Sequence, residues 1–348
     1  MAGDTTSPVK GIDGERVSEW LEAHVDGVRP PLRFEMIVGG HSNLTYEVTD
    51  ARGARYVLRR PPLGAILATA HDMAREHRII SALGATDVPV PPALGLCEDE
   101  AVNGAPFYVM GFVDGVVLVD ADTVRAHFGD GQRRRIGESL VGTLATLHRV
   151  DPDAVGLGKL GRKEAYLARQ LERWRTQWES SKTRELEDME TVYRALRDRM
   201  PEQAGATIVH GDFRLGNCLT GADGRIAAVL DWELCTLGDP LADVGFLMND
   251  WRQPGEGEAE GGPVPGPTAS GGFPTREEML AAYSEATGRD TSGIDYYRAF
   301  QYWRLAAIVE GVLARYLKGV MGGEVDTELY KWRVEELARG AVELMERL

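Results

Sequence analysis

IVHGDFRLGNCL, residues 208–219, places a His, an Asp, an Arg and an Asn between two apolar ends that each read as a short buried strand. A turn-rich loop alone would account for the Asp and the Asn, since both side chains readily bond nearby backbone. The following segment asks for more. GADG, residues 221–224, is a turn signal, and RIAAVLDWE, residues 225–233, is a second apolar run ending in acids. A hairpin of this kind carries Asp231 back toward Asp212 and Asn217, a convergence that a surface loop does not require.

An Asp, an Asn five residues on and an Asp closing a hairpin match the needs of phosphoryl transfer. In that chemistry the first Asp orients a hydroxyl and accepts its proton. The Asn and the second Asp supply oxygen ligands to magnesium, which prefers oxygen and keeps several waters. The loop and the hairpin together carry this reading further than the H-x-D-x-x-x-x-N spacing does alone.

Composition narrows the field. A chain of 348 residues exceeds the usual single core, so two lobes are expected. A formal charge of −15 argues against nucleic-acid binding as the main activity, because phosphate backbones reward a basic face. Only three cysteines occur, Cys97, Cys218 and Cys235, with no zinc-type spacing, so inert thiols in a reducing compartment are expected. The start lacks the apolar centre of a signal peptide, and no run reaches the ~18 apolar residues of a membrane span. These features predict a cytoplasmic protein, monomeric or dimeric, with no membrane or nucleic-acid partner.

Along the chain the texture changes once. A short amphipathic helix carrying Val17, Trp20, Leu21 and Val25 precedes an antiparallel meander across residues 33–60. Helical spacing from Ile66 to Leu83 then puts Met73, Glu76, Ile80 and Leu83 on one face, so a carboxylate shares an apolar stripe. Strands follow at PPALGLCE and APFYVMGFV, with NG between them read as a turn. Thereafter helices dominate, including one with Ile136, Leu140, Leu144 and Leu147 on its apolar face, and closing helices near 294–321 and 327–348. Residues 253–274 are rich in Gly, Pro and acids and read as a long loop. Thr275 and Glu278 form a capping box for the next helix. The fold class expected is α+β: an N-lobe at 1–110 with a small antiparallel sheet and one main helix, a hinge at 111–115, and a larger helical C-lobe at 116–348.

IVHGDFRLGNCL and AAVLDWELCTLGDPLADVG resemble the aminoglycoside phosphotransferase-like branch of the protein-kinase-like fold. Within that branch they are most similar to the kinase-like domains related to those joined to acyl-CoA dehydrogenases. The resemblance runs from about Phe34 to the last helices and leaves out the Gly/Pro-rich loop. It implies a two-lobed, magnesium-dependent phosphotransferase moving the γ-phosphoryl of ATP to a hydroxyl of a small molecule, with Asp212 as the catalytic acid–base group and Asn217 and Asp231 on the metal. Arg214 falls where protein kinases carry a lysine facing the transferred phosphate, which assigns it an electrostatic role. IVGGHSNLTYEV corresponds to the nucleotide-covering loop, with Gly39 and Gly40 permitting close approach and Ser42 and Asn43 presenting NH groups; a plain hairpin turn explains the same residues. Where the family has a lysine at the end of the third strand this chain has Arg59, since no lysine lies between Lys10 and Lys159. Arg grips phosphate bidentately but is not a neutral replacement. Glu76 is its expected partner. Met110 and Phe112 belong to the inter-lobe hinge that would read an adenine edge. His210 is expected to structure the loop, and Asp239 and Asp243 to hold the loop and the helix start through capping. Two other readings stay open: an aminoglycoside-modifying kinase, and a catalytically silent nucleotide-binding protein.

Overall fold

The computed structural model describes residues 9–37, 43–63, 72–253, 256, 265–320 and 325–348. Two compact units form, one from residues 1–115 with 227–233, the other from 116–226 with 234–348. Residues 227–233, which a division at the hinge assigns to the C-terminal part, thus cluster with the N-terminal unit.

The first unit contains α1 (Gly14–His24), β1 (Arg33–Met36), β2 (Leu44–Thr49), β3 (Arg55–Arg60), α2 (Met73–Leu83), β4 (Ala93–Cys97), α3 (Glu100–Asn103) and β5 (Phe107–Gly111). Its five strands form an antiparallel sheet in the order β1-β2-β3-β5-β4. The two strands between which NG was read as a turn are neighbours, but Asn103 ends the one-turn helix α3 and Gly104 caps it at φ 70°. The dipeptide serves as a helix stop, a use of left-handed Gly as common as the hairpin one. Val17 and Leu21 of α1 pack with Tyr46, Val48, Leu58, Phe107 and Val109 of the sheet. Because side chains alternate along a strand, β3 turns Leu58 and Arg60 to one side of the sheet and Val57 and Arg59 to the other. Arg60 is buried against the carbonyls of Gly11 and Asn103, leaving Arg59 for the opposite face. The helix expected from Ile66 is described from Met73, where Asp72 accepts a hydrogen bond from Arg75 N; residues 64–71 lie outside the described ones.

The second unit holds β6 (Val116–Val117), α4 (Ala121–His127), α5 (Asp130–Arg149), α6 (Tyr166–Ser181), α7 (Glu187–Asp198), β7 (Thr207–Val209) and β8 (Cys218–Thr220). β9 (Ile226–Val229) leads the chain into the first unit. The second unit resumes with β10 (Thr236–Gly238), α8 (Leu241–Asp250), α9 (Arg276–Thr287), α10 (Ile294–Leu317) and α11 (Thr327–Glu346). Trp178, Trp251 and Trp303 are core residues, as is most of α10. The Thr275/Glu278 capping box opens α9. Among the described residues no helix is long and apolar enough to cross a membrane.

Candidate active site

In the second unit, β7 pairs with β10, not with β8, so residues 210–217 arch out of a two-stranded ladder and come down into β8 through a 3-10 turn at Leu215–Asn217. Alternation of side chains explains the arch. Phe213, Leu215 and Cys218 are fully buried and anchor it, while Asp212 and Arg214 keep 28% and 41% of their side chains exposed. Gly211 is required twice over: its φ of +88° suits glycine, and a Cβ there would stand 2.9 Å from the carbonyl oxygen of Leu234.

Asp212 and Asn217 meet directly. The Asn217 amide Nδ2 donates to Asp212 Oδ2 at 2.7 Å and to the Asp212 carbonyl at 2.8 Å. With Nδ2 committed, Asn217 Oδ1 is the atom left to accept. Asp212 Oδ1 faces Arg214 Nε at 3.5 Å, a loose ion pair that leaves this oxygen accessible. Gly216 makes room for the guanidinium, because a Cβ at that position would come within 2.9 Å of Arg214 Nη1.

Asp239 and Asp243 hold the helix start and the loop, as expected, by two different routes. Asp239 does bond the N–H of Leu241 at the helix start, and also those of Ala204 and the Tyr297 hydroxyl. Asp243, in the first turn of α8, holds the loop by reaching out to the arch: it accepts from His210 N at 2.6 Å, Gly211 N at 2.8 Å and His148 Nε2 at 3.3 Å. Burial pushes the Asp243 carboxyl up, but the His148 hydrogen bond, the nearby imidazoles and the Gly211 N–H together hold it below the usual range. Burial lowers His148 against the opposing pull of Asp243. A neutral His148 beside an acceptor-only carboxylate must carry its proton on Nε2, so Nδ1 accepts from the Tyr283 hydroxyl at 2.8 Å. His210 is buried and its Nδ1 accepts from Asp212 N at 3.2 Å, which is the loop-structuring role expected of it. Arg304 Nη1 adds a bond to the Gly211 carbonyl at 3.2 Å. Neither His148 nor Arg304 stands near the loop in sequence, and no spacing signal announces either.

In the first unit, Arg59 bridges two acids. Its Nε lies 3.1 Å from Glu76 Oε2, and its Nη2 donates to Asp231 Oδ1 at 2.7 Å. The Nε contact is an ion pair without hydrogen-bond alignment. Asp231 follows β9 in the left-handed region at φ 64°, a conformation Asp adopts more readily than most residues, and the turn after it is held by Arg75 Nη1 donating to the Glu233 carbonyl. Glu76 is 2% exposed and accepts from the Tyr108 hydroxyl at 3.0 Å and from Asn43 Nδ2 at 3.4 Å. Asn43 is thereby spent inward, not offered to phosphate through its side chain. Gly39, Gly40 and Ser42 lie outside the described residues. At the expected hinge, Gly111 N donates to the Pro92 carbonyl and Phe112 N to the Arg55 carbonyl, and Met110 pairs with strands on both sides. Those two N–H groups are therefore not free to meet a base.

Burial outweighs the Arg59 charge and the Tyr108 hydrogen bond, so the Glu76 pKa is pushed up to about 7. The sign of the consequence is fixed. A carboxyl whose folded pKa exceeds its unfolded value of about 4.3 binds more protons in the fold, so its contribution to stability falls as pH rises through about 5 to 7. Glu76→Gln removes that term: the wild-type denaturant midpoint minus that of the variant, measured at pH 5, 6 and 7, is expected to shrink as the pH rises.

Residues 33–299 match the phosphotransferase enzyme family, over more than half of the chain. The chain belongs to that family. A mouse (Mus musculus) relative, acyl-CoA dehydrogenase family member 10, is 35% identical over 301 residues; the match takes in 86% of this chain but 28% of that protein's length. A Ralstonia eutropha JMP134 protein crystallised as a candidate aminoglycoside phosphotransferase is 33% identical with a TM-score of 0.83, covering 96% of this chain and 98% of its own. A thermostable mutant of aminoglycoside phosphotransferase APH(4)-Ia, in complex with AMP-PNP and hygromycin B, shares the fold at a TM-score of 0.59 and 15% identity, covering 94% of this chain and 98% of its own. Family membership and the two-unit α+β architecture accord with the expectation drawn from IVHGDFRLGNCL.

Proposed function

We propose that this phosphotransferase moves the γ-phosphoryl of ATP to a hydroxyl of a small, non-antibiotic metabolite, in a magnesium-dependent reaction. The observation that carries the reading is the Asp212–Asn217 pair, mounted on an arch whose backbone is clamped by Asp243. Asp212 Oδ1, the oxygen not taken by Asn217, accepts the proton of the acceptor hydroxyl as the oxygen attacks. Arg214, beside it, holds negative charge on the transferred group. Arg59 stands where the family has a lysine and serves the nucleotide phosphates, with Glu76 fixing its orientation.

The donor chemistry fits magnesium. Asn217 Oδ1 in the second unit and, in the first, the Asp231 oxygen not bonded to Arg59 are each hard oxygen atoms of the kind this ion takes alongside substrate phosphates and water. When bound, the ion would neutralise charge on the β- and γ-phosphates. Nucleotide use is supported by the fold shared with a phosphotransferase crystallised with AMP-PNP. A metabolic acceptor is favoured over an antibiotic by the 35% identity to an acyl-CoA dehydrogenase family member.

A silent nucleotide-binding protein is the second reading, favoured by one observation: Arg59 replaces a lysine and its 2.7 Å bond occupies an oxygen of Asp231. Thermal shift with ATP and magnesium, followed by a screen for ATP consumption over aminoglycosides, small alcohols and hydroxyacyl thioesters, separates the two. Turnover on a non-cationic hydroxyl compound is the expected result. Stabilisation by ATP with no turnover across the panel would favour the silent protein, and turnover confined to aminoglycosides would overturn the metabolic reading.

A further inference from the structure

A cavity of about 230 Å³ opens beside the arch within the second unit, lined by Arg214 and Gly216 together with residues of α8, α10 and α11. Its charged lining is three guanidiniums, Arg214, Arg252 and Arg333, against one carboxylate, Asp250. Arg333 is the unexplained member. Its Nε is buried without a hydrogen-bond partner, and among the described residues its guanidinium makes no hydrogen bond or ion pair. Elsewhere in this unit partly buried arginines are paired: Arg175 with Glu190, Arg184 with Glu310, Arg298 with Asp295. A half-buried guanidinium left without an acceptor costs free energy that a bound oxyanion would return.

Asp250, the last residue of α8, also lines the cavity and accepts no hydrogen bond from any described residue. Burial pushes its carboxyl up, with Arg214 and Arg252 pulling the other way and Asp212 adding to the rise. The cavity therefore presents a cation that lacks an anion and, near Asp212, an acid that lacks a donor. A polycationic acceptor would bring its charge against three guanidiniums.

We propose that this cavity is the acceptor subsite, and that Arg333 anchors an oxyanion of the acceptor, carboxylate or phosphate, while Asp250 receives a hydroxyl or N–H of the same molecule. The inference rests on the phosphotransferase reading for the word acceptor; the anion site itself stands on the cavity alone.

The test uses full-length protein and four matched series of three to eight carbons: ω-hydroxyalkanoates, ω-hydroxyalkyl phosphates, α,ω-diols and ω-amino alcohols. Binding is measured by calorimetry and transfer by ATP consumption with product detection. At least one anionic series is expected to bind at least tenfold more tightly than the diols. Arg333→Gln is expected to weaken that binding by about 10- to 100-fold, as loss of a charged hydrogen-bonded anchor does, leave diol binding within twofold, and leave ATP affinity unchanged as the control for folding. Arg333→Lys, which keeps charge without the fork, should recover part of the loss. Preference for the carboxylate or the phosphate series identifies which oxyanion the site takes. Diols or amino alcohols binding as tightly as the anions, no anionic probe binding at millimolar concentration, or anion affinity unmoved by Arg333→Gln would each overturn the proposal. Anion binding that depends on Arg333 without any phosphoryl transfer would leave the anion site standing and count against the phosphotransferase; transfer to neutral or cationic probes without anion preference would do the reverse.

Discussion

Asp212→Asn is expected to lower kcat on a verified acceptor by about 10²- to 10⁴-fold, the range for removing a positioned general base. The substitution isolates the chemistry well. An Asn at 212 can still accept from Asn217 Nδ2, which now bonds Asp212 Oδ2 at 2.7 Å, so the arch keeps its internal tie. Thermal stability should hold within about 1 kcal/mol, as for exposed changes away from buried networks. A base that acts on the attacking hydroxyl contributes in the transition state and little to ground-state binding. Hence kcat and kcat/KM for the acceptor should fall together, with the ATP dissociation constant unchanged. Wild-type turnover in this variant would remove Asp212 from the reaction and with it the main support for the proposed activity.

The second large effect is on stability. Asp243→Ala leaves the N–H groups of His210 and Gly211 and the Nε2–H of His148 without an acceptor in a region where Asp243 is 1% exposed. Breaking a buried, hydrogen-bonded charged partner typically costs about 3–5 kcal/mol. The melting temperature is expected to drop by on the order of 10 °C for a unit of this size. Asp243→Asn, which retains one acceptor oxygen, should lose less. Because the clamp grips the backbone at 210 and 211, the alanine variant should lose phosphoryl transfer even below its melting temperature. Unaltered stability by calorimetry would show that the His148–Asp243 cluster does not hold the arch.

This cluster and Glu76 bend the pH profile in opposite directions. His148, lowered by burial, must stay neutral to keep its place, so its contribution to stability falls as pH drops below about 6.5, where the unfolded imidazole takes up a proton. Asp243, held low, loses its contribution only at more acid pH. Glu76, raised to about 7, gains over much of the same interval. The two terms are expected to cancel in part between pH 5 and 7, and Glu76→Gln should expose the acid sensitivity of His148.

Much of the site was legible where chemistry and local period coincide. Asp212 and Asn217 lie within one short segment between apolar ends, so a loop carrying both was readable from it; that Phe213 and Leu215 anchor the loop came from the structure. Glu76 stood out because an acid on an apolar helical stripe demands a cation; the resemblance named Arg59 as that cation, and the structure shows neighbouring Arg60 turned instead to the carbonyls of Gly11 and Asn103. What escaped notice comes from far along the chain. His148 reaches Asp243 across 95 positions and Arg304 reaches Gly211 across 93, and no periodicity encodes such meetings. Asp243 was expected to hold the loop, but its route was hidden for a related reason: an acid in the first turn of a helix is ordinarily a cap, and only the packing of the arch shows it bonding another segment's backbone. Asn103-Gly104 carries a signal common to two structures, a tight hairpin and a helix stop, and the dipeptide alone does not choose between them. Arg333 and Asp250 carry no motif at all.

The excursion of residues 227–233 into the first unit has a consequence for synthesis. Arg59 is made early, yet the carboxylate of Asp231 that it bonds emerges 172 residues later. A nascent chain that has delivered the five-stranded sheet must wait for about half of the second unit, residues 116–226, to be translated before that cation receives its second acid. Vectorial folding of the N-terminal unit is therefore left incomplete until residue 233 has cleared the ribosome, and a fragment ending at the hinge would lack the same piece.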